Sequence, residues 1–258
     1  KISSIKDFLN SKTNVYITYL PDENTNNILN TAKKIIDEGL DAIPHLPART
    51  IKNKSDLEKY IGSLSEVAGV KKILVIGGSS KQNGNINSSI EVLKTGFLDK
   101  YNYCSIGLAG HPEGNPDISQ EKLDEAIIEK NKFALDSKAK LYLITQFFFE
   151  ARSFIEWEKH LFKLDNKLEI HAGLPGPADF STLIKFARSC GVKNSLNFLT
   201  KQALNISKMT MSKTPAKLVS ELASYISNNE KTKLKNLHFY PFGGIKKTSS
   251  WIRSIIDE

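Results

Sequence analysis

The residues in this chain whose types and spacing could do chemistry gather at the ends of short apolar runs. These ends read Pro21-Asp22-Glu23, His45-Leu46-Pro47-Ala48-Arg49, Gly77-Gly78-Ser79-Ser80, Ala109-Gly110-His111-Pro112-Glu113, Gln146, Gly173-Leu174-Pro175-Gly176-Pro177 and Tyr240-Pro241-Phe242-Gly243-Gly244. The first and fourth offer carboxylates for proton transfer, the third offers backbone amides to a phosphate, and Gln146 offers a neutral donor and acceptor pair. Three of the five histidines, His45, His111 and His238, lie at or beside such ends. Other chemistries are excluded by spacing. Gly77-Gly78-Ser79-Ser80 lacks the Gly-Lys-Ser/Thr of a P-loop and the spacing of a dinucleotide fingerprint, so it reads equally as a bare turn or as a surface that a flat ligand approaches. No Gly-x-Ser-x-Gly elbow occurs, and the histidines lack metal-ligand spacing. Cys104 and Cys190 form no Cys-x-x-Cys pair, which makes them buried thiols of a reducing compartment.

Positioning these ends requires a repeated unit, and the chain supplies one. Short β-branched or apolar runs alternate with longer amphipathic stretches, the pattern of βα units around a parallel sheet. Strands are predicted at residues 15–20, 42–46, 72–76, 103–108, 140–147, 168–173 and 236–240, with an ill-defined one near 191–192. Helical periodicity covers 27–38, 55–68, 86–98, 120–136, 154–164, 180–189, 196–209 with 215–227, and 248–257. Ser55-Asp56-Leu57-Glu58 has the form of a capping box, and Gly39 and Gly191 sit where left-handed helix caps belong. No linker divides the chain. The expectation is one α/β domain over residues 1–258, a (β/α)8 TIM barrel, whose site lies at the C-terminal ends of its strands.

Composition narrows the class. An apolar fraction of 40% and a charged fraction of 25% are ordinary for a globular protein. No apolar run nears the roughly 20 residues that span a bilayer, and residues 1–7 lack the apolar core of a secretory signal, so no membrane partner and a cytoplasmic location are expected. The net charge of +8 comes from lysines scattered along predicted helix faces, including Lys33, Lys59, Lys94, Lys130 and Lys132, without any nucleic-acid-binding signature. Nucleic acid is therefore not an expected partner, and a solvated lysine-rich surface is a plainer reading than any specific anion role.

Ala109-Gly110-His111-Pro112-Glu113-Gly114-Asn115-Pro116, followed by Thr145-Gln146-Phe147-Phe148-Phe149, resembles the methylenetetrahydrofolate reductase family. Further matches come in order: Pro44-His45-Leu46 with Arg49, Gly173-Leu174-Pro175, the segment from Phe186 to Val192, and His238-Phe239-Tyr240. The resemblance implies a barrel that stacks FAD and tetrahydrofolate at its C-terminal mouth, passing hydride between NAD(P)H, the flavin and the one-carbon unit. It implies that Gln146 hydrogen-bonds the folate pterin and that Phe148 or Phe149, together with Tyr240, contacts the substrate. It also places His45, Arg49, Gly78, Ala109, His111 and Asn115 at positions that line the flavin, with His111 replacing a tyrosine and Asn115 a histidine. The alternative reading of Gln146 and the phenylalanines is barrel packing. A homo-oligomer is compatible with either.

The chain departs from the family where chemistry is expected. The first-strand glutamate, the folate's proton donor, is replaced by Thr18, and an alcohol is no general acid near neutral pH. The third strand ends Ile76-Gly77-Gly78 in place of Arg-Gly-Asp. A lysine that meets flavin phosphate aligns with Ala134, leaving Lys132 or Lys130 as substitutes. These losses predict weak or absent flavin binding with the folate platform retained. Asp22, Glu23 or Glu113 are the carboxylates able to replace the acid. Two functions remain: a reductase interconverting methylene- and methyl-tetrahydrofolate with NAD(P)H, possible without tightly held flavin, and a non-catalytic folate-binding or regulatory barrel.

Overall fold

Helices in this chain start where a short polar side chain can satisfy a free amide. Asn24 does so for Asn26 at the head of α1 (Thr25–Asp37). Asn53 Oδ1 accepts the Asp56 amide at 2.9 Å and so opens α2 (Lys54–Glu66). The expected capping box at Ser55 is thus displaced by two residues: Asn53 has the extended backbone a cap needs, and Ser55 already lies inside the helix. The computed structural model describes residues 5–20, 24–78, 82–190, 192 and 212–256.

The described residues are an α/β arrangement with a seven-stranded parallel sheet, and the chain divides into two compact units. The first holds residues 1–109 and 129–143. In it β1 (Asn14–Ile17), β2 (Asp41–Pro47), β3 (Lys72–Ile76) and β4 (Ser105–Gly110) pair in parallel, with Asn14 opposite Asp41, His45 opposite Leu74 and Lys72 opposite Ser105. Ile73, Leu74 and Val75 are all buried, as a parallel strand with both faces covered requires. α1 buries Ile28, Ala32 and Ile35, and α2 buries Leu57, Tyr60, Ile61 and Leu64, each a helical stripe. Each such fully buried aliphatic side chain contributes roughly 1.5–3 kcal/mol. Gly39 follows α1 at φ +80°, as expected of a left-handed cap. The single helix expected over 86–98 is two short ones, α3 (Ser89–Leu93) and α4 (Phe97–Lys100). The intervening Gly96 has φ +73°, a conformation that cannot continue a right-handed helix.

α5 (Gln120–Asp136) and β5 (Lys140–Phe147) match their expected bounds. The second unit holds residues 110–128 and 144–258. It contains the end of β5, α6 (Ala151–Lys163), β6 (Glu169–Pro175), the short β7 (Ala178–Asp179), α7 (Phe180–Ser189), β8 (Ser212–Lys213), α8 (Ala216–Ser227), β9 (Leu234–Tyr240) and α9 (Ile245–Ile256). β6 and β9 run parallel from Ile170 opposite Leu234 to Pro175 opposite Tyr240, while β7 and β8 pair antiparallel apart from the main sheet. A buried carboxylate ties this unit together: Glu158 on α6 accepts from Tyr225 of α8 (2.6 Å), Thr232 (2.8 Å) and the Lys233 amide (2.7 Å). A cluster of Phe147, Phe180, Leu183, Ala187 and Val192 forms its core.

The main sheet runs β1-β2-β3-β4-β5-β6-β9. Of the strand expected near 191–192, Gly191 lies outside the described residues, and Val192 is coil packed into the core; the helix expected over 196–209 also lies outside them. Cys104 and Cys190, expected to be buried, are both exposed, because each sits at the edge of its element instead of facing the sheet. No described helix is long and apolar enough to cross a membrane, and no described group of His, Cys, Asp and Glu could hold a metal.

Candidate functional site

In the second unit three strand ends are fastened around one threonine. Thr145, buried in β5, donates its hydroxyl to the carbonyl of Gln146 (2.7 Å) and accepts the amide of Gly173 on β6 (2.8 Å). The Tyr240 hydroxyl, at the end of β9, donates to the Thr145 carbonyl at 2.9 Å. Burial pushes the Tyr240 phenol well above its ordinary value, so it remains a donor throughout the physiological range. Gly173 is required here, since a Cβ would stand 2.5 Å from the Thr145 carbonyl and 2.9 Å from the Tyr240 ring. Gly110, at the end of β4, is equally crowded, with Trp157 2.8 Å and the Thr145 methyl 3.5 Å from where its Cβ would lie.

This frame leaves the Gln146 side chain half-buried and, among the described residues, without a hydrogen-bond partner. An amide so placed holds two donors and an acceptor free for a ligand. Aromatic rings surround the strand end. Tyr240 stacks with Phe242 (5.7 Å), Phe242 with Phe186 (4.2 Å), and Phe147 meets both Tyr240 (5.6 Å) and Phe242 (4.9 Å) edge-on. Phe148 is fully buried and stacked on Phe154 at 5.5 Å, so its ring packs the core; Phe149, half-buried, is the phenylalanine whose ring reaches a cavity. His238 meets the Tyr240 ring edge-on at 4.6 Å. In the loop after β4, His111 and Glu113 are half-buried, and the Asn115 carboxamide oxygen is occupied by the Asp117 amide at 2.9 Å, closing a turn.

In the first unit a second set collects at the ends of β2, β3 and β4. Arg49 follows β2, and its guanidinium donates to the carbonyls of Gly78 and Asn87, both at 3.3 Å. Gly78 has φ +88°, and a Cβ there would press Pro47 at 3.0 Å, so its backbone is one suited to glycine. His45 is half-buried with its ring edge-on to Tyr16 at 6.3 Å. Burial lowers its pKa from 6.5 to about 4, so the imidazole is neutral at pH 7. The carbonyl of Ala109 accepts from Lys130 Nζ at 2.8 Å. Lys130, counted among solvated lysines on sequence grounds, is only 4% exposed, whereas Lys132 is exposed on the outside of α5. Thr18 lies one residue beyond β1, exposed and unbonded among the described residues; Asp22 and Glu23 lie outside them.

Sequence reasoning missed the supporting residues. Tyr16 and Tyr142 join hydroxyl to hydroxyl at 2.8 Å, and Gly107 is small because a Cβ would stand 2.8 Å from the Tyr142 oxygen. Nothing in an uninterrupted apolar strand marks such a pair. Thr145 did carry a signal, a hydroxyl inside the buried run 141–147.

A family model described as Methylenetetrahydrofolate reductase matches residues 9–253. The chain is 24% identical over 220 residues to the 5,10-methylenetetrahydrofolate reductase of Pectobacterium carotovorum subsp. carotovorum, covering 84% of this chain and 70% of that protein. The ordered strand-end motifs and a match across nearly the whole sequence agree, and the chain belongs to the methylenetetrahydrofolate reductase family.

Proposed function

We propose that this protein is a folate one-carbon reductase, interconverting methylene- and methyl-tetrahydrofolate with NAD(P)H within a single (β/α)8 barrel. The observation that carries the reading is the unpartnered Gln146 carboxamide at a rigid strand end. Its polar atoms are free of protein partners among the described residues, so a ligand can bond them without breaking a contact within the protein. A pterin edge, with its alternating donors and acceptors, supplies such bonds. The Thr145 and Tyr240 bonds fasten the main chain from which this side chain projects.

The residues present do not fit tightly held FAD. Thr18 and Gly78 supply neither carboxylate of the family pattern, Arg49 is committed to two backbone carbonyls, and Lys130 is committed to a third. We therefore assign hydride transfer directly from C4 of NAD(P)H to the methylene carbon. One hydride and one proton convert methylene- to methyl-tetrahydrofolate, leaving NAD(P)+. The proton goes to the folate nitrogen released as the methylene bridge opens. Thr18 cannot donate it, and Glu113 is the described carboxylate of the strand-end loops that we assign to this role. His45, neutral at pH 7, acts as a hydrogen-bonding group and not as a cation.

The test is folate-dependent NAD(P)H oxidation by the purified protein. Gln146→Ala is expected to weaken folate binding by more than ~1 kcal/mol, about fivefold, the scale of one lost hydrogen bond. Absence of turnover with any reduced folate sinks the enzyme reading. Tight folate binding by calorimetry without turnover selects the non-catalytic barrel instead, which the loss of the acid at Thr18 favours.

A further inference from the structure

His238 is the strand-end histidine to which the reaction assigned above gives no role. It lies two residues before Tyr240 on β9, so the two side chains leave the same face of the strand. Phe239, between them, meets Trp251 of α9 edge-on at 5.8 Å, which marks the helix side of β9 and turns His238 and Tyr240 away from it. Both faces of a covered parallel strand are normally apolar. This face is polar instead. One step further from the rim, the Asn236 carboxamide nitrogen donates to His171 Nε2 of β6 at 2.9 Å, and the two residues sit opposite each other in register. The next rung is different. His238 stands opposite Gly173, which presents no side chain, and its ring meets Tyr240 edge-on, with centroids 4.6 Å apart and planes at 88°.

Tyr240 is an arm more than a core filler. Its ring crosses β6 over Gly173, where a Cβ would come within 2.9 Å of it, and its hydroxyl ends on the Thr145 carbonyl of β5 at 2.9 Å. That bond depends on the tilt of the ring, because the hydroxyl is the far end of a rigid lever. Phe147 from the end of β5 and Phe242 from the turn after β9 touch the ring at 5.6 and 5.7 Å, and the contact from within β9 is the imidazole of His238. Edge-to-face is a preferred geometry of two aromatic rings. Without the imidazole the ring can tilt and its hydroxyl can leave the carbonyl. We propose that His238 is a positioning residue of the folate site: its ring sets the tilt of Tyr240, and through the Tyr240 hydroxyl it holds the β5 end from which Gln146 projects. The assignment rests on the folate reading of Gln146 and adds to it a residue that acts through another side chain.

Calorimetric titration with tetrahydrofolate, and separately with NAD(P)H, tests it on wild type, His238→Ala, His238→Phe, Tyr240→Phe and the double variant His238→Ala with Tyr240→Phe. His238→Ala is expected to weaken folate binding about fivefold, the scale of one lost ring contact. Its affinity for NAD(P)H should stay within about twofold of wild type, a split that a general loss of fold does not produce. His238→Phe, which keeps an aromatic edge at the position, should bring folate affinity back to within about twofold of wild type. Since both residues act through one hydroxyl, the double variant should bind folate no more weakly than Tyr240→Phe alone. Losses that multiply in the double variant, a His238→Phe as weak as His238→Ala, or no loss in His238→Ala each overturn the positioning role. The Gln146 reading outlasts those results if Gln146→Ala still weakens folate binding. Failure of wild type to bind tetrahydrofolate overturns both.

Discussion

Lys130 is the residue whose chemistry departs furthest from its surroundings. It is 4% exposed, has no carboxylate partner among the described residues, and gives its ammonium to the Ala109 carbonyl at 2.8 Å. Burial lowers its pKa from 10.5 to about 8, since a charge surrounded by protein loses hydration that one carbonyl does not replace. The unfolded chain holds this proton up to pH 10.5 and the folded chain only to about 8, so across that window the unfolded state binds more protons and stability rises with pH. The stability of wild type relative to Lys130→Met should accordingly climb by on the order of 3 kcal/mol over the window. Urea denaturation at several pH values measures it, and a flat difference would remove the buried charge from the account. The sequence offered Lys130 and Lys132 as equals on one helix. Only the sheet beneath distinguishes them, because a shift of two positions turns a helical side chain through more than half a turn.

At the level of elements, the strand ends are held by contacts that tolerate no added atom. Gly173→Ala would drive a methyl against the Thr145 carbonyl, and β6 would have to move away from β5. A loss of roughly 1–3 kcal/mol is expected, read as a lower urea midpoint, together with weaker folate binding because Gln146 shifts with the strand. An unchanged midpoint would mean that these ends are not fastened. Much of this scale was legible in the sequence. β3, β5, α5 and α7 fall on their expected bounds, since each is a long periodic or apolar run bounded by polar breaks. Ends went astray where a neighbouring side chain decided the matter: Asn53 outcompeted Ser55 as a cap, and Gly96 split a helix whose apolar periodicity ran through it unbroken. The site was legible as a set of positions, because turn-forming and polar residues cluster after each apolar run. Its supports were not, because Thr145, Gly107 and the Tyr16 and Tyr142 hydroxyls matter only through partners remote in sequence.

For the whole molecule the relevant quantities are charge and linkage. With 36 basic against 28 acidic side chains, the chain carries a net positive field, and the folates and nicotinamide nucleotides proposed as its ligands are anions. A ligand present at a hundred times its dissociation constant adds about 2.7 kcal/mol to stability. For a chain of this size that raises the melting temperature by roughly 5–10 °C. Tetrahydrofolate should produce such a rise, and FAD at the same concentration should produce none; thermal scans of the intact protein with each compound decide. A rise with FAD alone would reverse the cofactor assignment.

Thr18 carries one last implication. It sits in the open, bonded to nothing among the described residues, so the fold asks nothing of its side chain. Thr18→Glu should therefore leave the unfolding free energy from urea denaturation within about 0.5 kcal/mol of wild type, the range of surface substitutions. A carboxylate can thus be installed here with nothing around it rebuilt, which makes this position the cheapest place in the chain to ask whether a second acid changes the reaction.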